Sequence, residues 1–71
     1  MRYLVVVEKG PTAFGAYVPD LPGCVATADT RDEALALIRE AIELHIDDLR
    51  HSGQRVPPPS STGEVIEVRA A

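Results

Sequence analysis

TRDEALALIREAIELHIDDLRHSG, residues 30–53, is the stretch that fixes the architecture of this chain. Thr30 followed by Glu33 matches a capping box, in which each side chain bonds the other residue's backbone N–H at a helix start. Side chains of a broad, mostly apolar stripe then recur at helical spacing: Ala34, Leu35, Ile38, Ala41, Ile42, His45, Ile46 and Leu49. Ser52-Gly53 offers a C-terminal stop. The stretch therefore predicts an amphipathic helix over residues 31–51 that packs on a sheet.

Three segments before the helix have the composition of strands. Residues 2–8 are rich in β-branched side chains and apolar on both alternation sets, which is typical of a central strand. A Gly-Pro turn joins them to a second strand, residues 13–18, so that the two form an antiparallel hairpin. Residues 24–29 predict a short third strand, whose small side chains leave room for the helix to pack closely.

The chain after the helix predicts one more strand. Residues 54–62 contain three consecutive prolines, which favour an extended connection. Residues 64–69 then alternate Ile66 and Val68 against Val65 and Glu67, and a right-handed crossover can set this strand parallel to the first. The sequence thus predicts one α+β domain, residues 1–71, of order βββαβ, with a four-stranded mixed sheet and one long helix on one face. The other face, which carries Tyr3 or Tyr17, is left open for a second copy or a partner.

Length and charge narrow the class of protein. A domain of 71 residues buries only about 60% of its unfolded surface, so we expect a homodimer or tetramer. A net charge of −4 opposes unaided binding to nucleic acid. The chain has no apolar run long enough for a signal peptide or a membrane span, so no membrane association is expected. A single cysteine fits a reducing compartment, which predicts a cytoplasmic protein.

The loop PDLPGC, residues 19–24, admits a catalytic or an architectural interpretation. A nucleophilic Cys24 needs a nearby base, yet both histidines lie far along the helix, so a small buried residue is favoured. Leu21 is expected to plug the core or an interface, and Asp20 to accept local backbone N–H bonds. We assign structural roles to Pro19, Asp20, Pro22, Gly23, Cys24, Thr30 and Glu33.

A second apolar ridge flanks the core stripe of the helix. Leu37 and Leu44 lie seven residues apart and about 100 to 120° from the centre of that stripe. Either the sheet is wide enough to cover them, or they contact a partner or a second copy. Six acids and three arginines lie between residues 31 and 50, and such a face is either simply solvated or guides docking to a basic partner. The predicted partner or oligomer contacts are Leu21, Leu37, Glu40, Glu43, Leu44 and Asp47.

These motifs together resemble the HicB family, the antitoxin half of HicA–HicB toxin–antitoxin pairs. The resemblance rests on GAYVPDLPGCVATADTRDEALALIREAIELHIDDL, residues 15–49, followed by VPPPS, residues 56–60. It implies a partial ribonuclease-H-like fold that binds and blocks HicA, a small RNA-cleaving toxin with a catalytic histidine. Ala28 departs from the glycine usual there. Because the sequence stops at Ala71, we expect no C-terminal DNA-binding module and no direct nucleic-acid binding.

The ribonuclease-H likeness raises a nuclease hypothesis that the residues oppose. Two-metal chemistry on that fold needs converging carboxylates, the first from the middle of strand one, where this chain has Leu4, Val5 and Val6. We therefore predict no enzymatic activity, no metal and no cofactor. The predicted function is steric inhibition of a HicA-type toxin, and the alternative is an orphan oligomeric scaffold or regulatory module without a toxin partner.

Overall fold

The computed structural model describes residues 1–70. Within them the element order is βββα, with strands β1 (Val6–Lys9), β2 (Phe14–Tyr17) and β3 (Val25–Ala28) and the helix α1 (Arg31–His51). The strands form one sheet in the order β1-β2-β3, and both pairings are antiparallel. The predicted α+β class is confirmed.

Helix α1 is closed at both ends by local chemistry. The Thr30 hydroxyl accepts a bond of 3.1 Å from the Glu33 backbone N–H, as expected of an N-cap. At the other end, Gly53 adopts φ 73°, and the N–H groups of Gly53 and Gln54 donate to the carbonyls of Arg50 and Leu49. This is a Schellman motif, which needs the positive φ that glycine adopts without a Cβ clash. The helix therefore spans the residues that its end signals indicate.

Each strand is shorter than the sequence predicts, because residues at the predicted strand ends belong to hydrogen-bonded turns instead. The loop between β1 and β2 is closed by a 2.8 Å bond from Gly10 N–H to the Ala13 carbonyl, which leaves Ala13 outside β2. At the far end of β2, Val18 N–H donates to the Cys24 carbonyl and thereby joins the next turn. Residues 2–5 consequently have no ladder partner and precede β1, which instead extends to Lys9.

The turn that connects β2 to β3 carries the proline and glycine signals predicted for it. Leu21 N–H bonds to the Val18 carbonyl, and Cys24 N–H bonds to the Leu21 carbonyl at 3.0 Å. Pro22 and Gly23 occupy the two central positions of the second turn, and Gly23 has φ 84°. Proline followed by a positive-φ glycine is the pattern of a type II turn, so the loop has an architectural role.

The core lies between one face of the sheet and α1. The side chains buried there are Ala16, Val18, Leu21, Cys24, Ala34, Ile38 and Ile46. The small strand residues Ala26 and Ala28 pack against this cluster, as does Val56 from the segment after the helix. Small side chains on β3 bring the helix close to the sheet, as expected from the sequence.

The predicted fourth strand is not formed. Residues 64–69 have no regular secondary structure, and the mixed four-stranded sheet is replaced by an antiparallel three-stranded sheet. A strand needs a hydrogen-bonded neighbour, and alternation alone predicts a propensity for one rather than the pairing itself. β1 is accordingly an edge strand rather than a central one. The ribonuclease-H likeness implied by the resemblance stays a prediction.

The connection predicted over residues 54–62 is held against the domain by Asp20. The Asp20 carboxylate accepts bonds from the backbone N–H groups of Ser60 and Ser61, both at 2.8 Å, and from both serine hydroxyls, at 3.2 and 2.7 Å. These donors, led by the Ser61 backbone N–H, lower the pKa of Asp20 to about 2. Asp20 therefore bonds a segment 40 residues away rather than its own turn, which corrects the local role predicted for it.

Candidate functional site

Leu37 and Leu44 form an exposed apolar ridge on the outer flank of α1, the leucine ridge. Leu44 is 70% exposed and Leu37 is 44% exposed. A helix of 21 residues is about 31 Å long, whereas a four-residue strand spans about 13 Å, so the sheet is too short to cover the helix. The interpretation in which the sheet covers both leucines is therefore wrong.

A row of carboxylates runs beside the leucine ridge. Glu33, Glu40 and Asp47 recur at intervals of seven residues, which places them about 20 to 80° around the helix from the leucines. All three side chains are exposed, and so is Glu43, which lies further around the helix from the leucines. We call Glu33, Glu40 and Asp47 the acidic row. The leucine ridge and the acidic row together form an apolar strip with a negatively charged border. This surface is electrostatically complementary to a partner with a basic surface.

The sheet face turned away from the helix offers a second surface. Val6 pairs with Tyr17, and Tyr17 pairs with Val25, so the three side chains form one row across the sheet. Val25 is 64% exposed, and Tyr17 is also exposed. Tyr17 thus lies on the open face, as predicted. Tyr3 instead packs on the core side, where its hydroxyl donates to the Pro57 carbonyl.

A groove of about 970 Å³ lies between residues 1–5 and α1. Its apolar lining comes from Tyr3 and Val5 on one side and from Leu35, Ile42 and Ile46 on the other. Among the described residues no strand residue borders it, so the groove lies beside the stretch that leads into β1. Leu35 and Ile46 are about 160 to 180° around the helix from Leu37, so the apolar lining of the groove and the leucine ridge are on opposite flanks, and Glu40 of the acidic row borders the groove between them.

Two residues singled out in the loop 19–24 belong to the interior. Leu21 is completely buried, so it presents no surface and is removed from the predicted partner contacts. Cys24 is buried as well, and burial raises the pKa of its thiol, which disfavours the thiolate that nucleophilic chemistry needs. The loop acts as part of the core.

The chain matches a family model over residues 3–70, that of HicB-like antitoxins of bacterial toxin–antitoxin systems. It belongs to the HicB-like antitoxin family. Antitoxin HicB 2 of Photorhabdus laumondii is 36% identical over 72 residues, which is 100% of this chain and 52% of that protein. An uncharacterized 14.9 kDa protein of Haemophilus phage HP1 is 35% identical over 66 residues, 93% of this chain and 50% of its own length. A UPF0150 protein of Thermoplasma acidophilum is 36% identical over 71 residues and matches at full length, 99% of this chain and 100% of its own.

This HicB-like chain thus spans about half the length of two of these relatives and the full length of the third. The resemblance drawn from the motifs is confirmed at the level of the family.

Neither a metal site nor a membrane-spanning helix is found in the part of the HicB-like chain that the structure describes. Residues 1–70 bring no three His, Cys, Asp or Glu side chains together as a candidate metal site. α1 is too polar to qualify as a membrane-spanning helix.

Some functional features were not identified from the sequence. The serines that bind Asp20 lie 40 and 41 residues from it, and no local pattern links them. The alternation in residues 24–29 places Val25 on one face of the strand. Only the sheet register shows that Val25 is aligned with Tyr17 and Val6. The predicted contacts Leu37, Glu40, Glu43, Leu44 and Asp47 are all exposed on the helix, as a contact role requires.

Proposed function

We propose that this chain is an antitoxin that binds a small RNA-cleaving toxin of the HicA type and sterically blocks it. The observation that carries the proposal is the match to the HicB-like antitoxin family over residues 3–70, supported by 36% identity to Antitoxin HicB 2. We further propose that the protein acts in the cytoplasm as a homodimer or tetramer. In this proposal the chain has no catalytic activity and does not itself bind nucleic acid.

The outer flank of α1 has the chemistry that such a partner requires. A protein that cleaves RNA must attract phosphates, so it presents basic residues around its substrate-binding surface. The acidic row is complementary to such a surface and accelerates encounter. The leucine ridge supplies the apolar contacts that hold a complex after encounter, because exposed aliphatic side chains gain most when a partner removes them from water.

Inhibition of RNA cleavage by a purified HicA-type toxin from the same genome tests the proposal directly. We expect wild-type chain to abolish cleavage at a fixed stoichiometry. Leu44→Ala is expected to weaken the complex by about 30-fold, equivalent to about 2 kcal/mol, if Leu44 is a central contact. Val25→Ala is the matched control, because Val25 is about equally exposed but lies on the opposite layer of the domain.

The role of charge is tested by the double variant Glu40→Gln, Asp47→Asn. It removes two negative charges from the acidic row, and its association rate with the toxin is expected to fall several-fold at low salt and to match wild type at high salt. Glu8→Gln, Asp29→Asn makes the same change in net charge away from the row and is expected to have little effect. Equal slowing by both pairs would show that net charge, not the acidic row, governs encounter.

Failure of the wild-type chain to bind or inhibit any HicA-type toxin of its genome refutes the proposal. A stable oligomer recovered in that case supports the alternative, an orphan scaffold or regulatory module.

A further inference from the structure

The segment after Gly63 is apolar, strand-like in sequence and unpaired. Val65 is fully exposed, Ile66 is 75% exposed, and Val68 is exposed to a similar degree. Within the described chain the backbone groups of residues 64–69 make no backbone hydrogen bond. Such a segment exposes aliphatic side chains and unpaired backbone groups together, the combination that favours addition to the edge of a sheet.

The dimensions of the molecule show that this segment leaves the domain. The longest extent is 52 Å, about 20 Å more than the length of α1. The six residues 64–69 measure about 20 Å when extended, which matches the excess. The segment departs from a fixed point, because Asp20 holds Ser60 and Ser61 and because Gly63 lies against the Leu4 side chain.

The same molecule has a free strand edge, that of β1, to which such a segment can add. β1 pairs only with β2, so its outer backbone groups have no strand partner. Residues 3–7 are nevertheless apolar on both faces, a pattern typical of a strand inside a sheet. The groove of about 970 Å³ lies between the residues that lead into β1 and α1; Val5, Ile42 and Ile46 line it, and Glu40 and Glu43 border it.

Residues 64–69 fit this edge in alternation as well as in length. In an extended strand Glu64, Ile66 and Val68 point to one side, and Val65, Glu67 and Arg69 point to the other. With Ile66 and Val68 turned toward α1, both aliphatic side chains enter the apolar groove. Val65, Glu67 and Arg69 then lie on the solvated face of the sheet.

We propose that residues 64–69 of one protomer add as a fourth strand along the free edge of β1 and of the residues that lead into it in a second copy, with Ile66 and Val68 in its groove. Every copy carries both the segment and the edge, so a reciprocal exchange closes a two-fold dimer and covers both. The proposal rests on the self-association put forward above and is independent of the toxin. It leaves the leucine ridge, on the opposite flank of α1, free for that partner.

The test combines oligomeric state with isotope-filtered NMR on the full chain. Light scattering is expected to show a dimer for the wild type. The variant Ile66→Asp, Val68→Asp is expected to weaken dimerisation at least about a hundredfold, because it places two charges in an apolar groove. Val65→Asp is the matched control on the other side of the segment, with an expected change of less than about threefold. All three substitutions are at exposed positions of a segment without packed contacts, so the domain remains folded.

In a mixture of ¹³C-labelled and unlabelled protein, we expect intermolecular NOEs from the Ile66 and Val68 methyl groups to Val5 and Ile42. Contacts found only within one chain would mean an intramolecular fourth strand and would overturn the exchange. A monomeric wild type, or a dimer in which the amides of residues 64–69 exchange with solvent freely, would also overturn it. None of these outcomes bears on toxin inhibition, which is measured separately.

Discussion

Leu21→Ala probes whether the PDLPGC loop belongs to the core, and its effect can be worked from the structure. The substitution removes three carbons from a side chain that is completely buried. At about 0.8 kcal/mol per buried methylene, the lost transfer free energy is about 2.4 kcal/mol. The surroundings cannot collapse freely into the cavity, since backbone bonds from Leu21 to Val18 and from Cys24 to Leu21 fix the turn. The residual cavity raises the expected loss to about 3–4 kcal/mol.

A loss of this size is a large part of the stability of so small a domain, which at about 0.1 kcal/mol per residue is about 7 kcal/mol. Urea unfolding followed by circular dichroism, at one fixed protein concentration, measures it. Leu44→Ala is the control: it removes the same three carbons from an exposed position and should change the free energy of unfolding by less than about 0.5 kcal/mol. If Leu21→Ala cost less than about 1 kcal/mol with an unchanged urea dependence, Leu21 would not be part of the core.

Three further predictions concern the helix cap, the clamp on the connection and the type II turn. Thr30→Ala should lower the free energy of unfolding by about 1 kcal/mol, because the Glu33 N–H loses its acceptor; no change in urea unfolding would contradict the cap. Asp20 has a folded pKa of about 2, below its ordinary 3.8, so its stabilising contribution is complete above pH 3.8 and is lost as the pH falls toward 2. The exchange protection factors of the Ser60 and Ser61 amides, which correct for the intrinsic pH dependence of exchange, should fall over that window, and Asp20→Asn should remove this fall; an unchanged profile in the variant would refute the assignment. Gly23→Ala should destabilise by about 1 kcal/mol through its positive φ, whereas Gly15→Ala, with equally open space for a Cβ but no positive φ, should not; equal effects would argue against the turn.

Local sequence signals determined the elements whose hydrogen bonds close within a few residues. Thr30 and Gly53 bound the helix because a cap or a Schellman motif needs only neighbouring backbone groups. Pro22 and Gly23 specify a turn for the same reason. The motif pattern across these elements was also sufficient to identify the antitoxin family.

Tertiary structure decided everything that depends on a distant partner. Residues 64–69 have the alternation of a strand, but a strand exists only where an edge receives its backbone bonds, and no edge within the described residues 1–70 does so. The sequence left three further points undecided. These are whether Leu21 lies in the core or at an interface, whether Asp20 binds Ser60 and Ser61, and whether Leu37 and Leu44 are exposed. Each depends on which surfaces the folded layers cover, and a sheet about 13 Å long leaves much of a 31 Å helix uncovered.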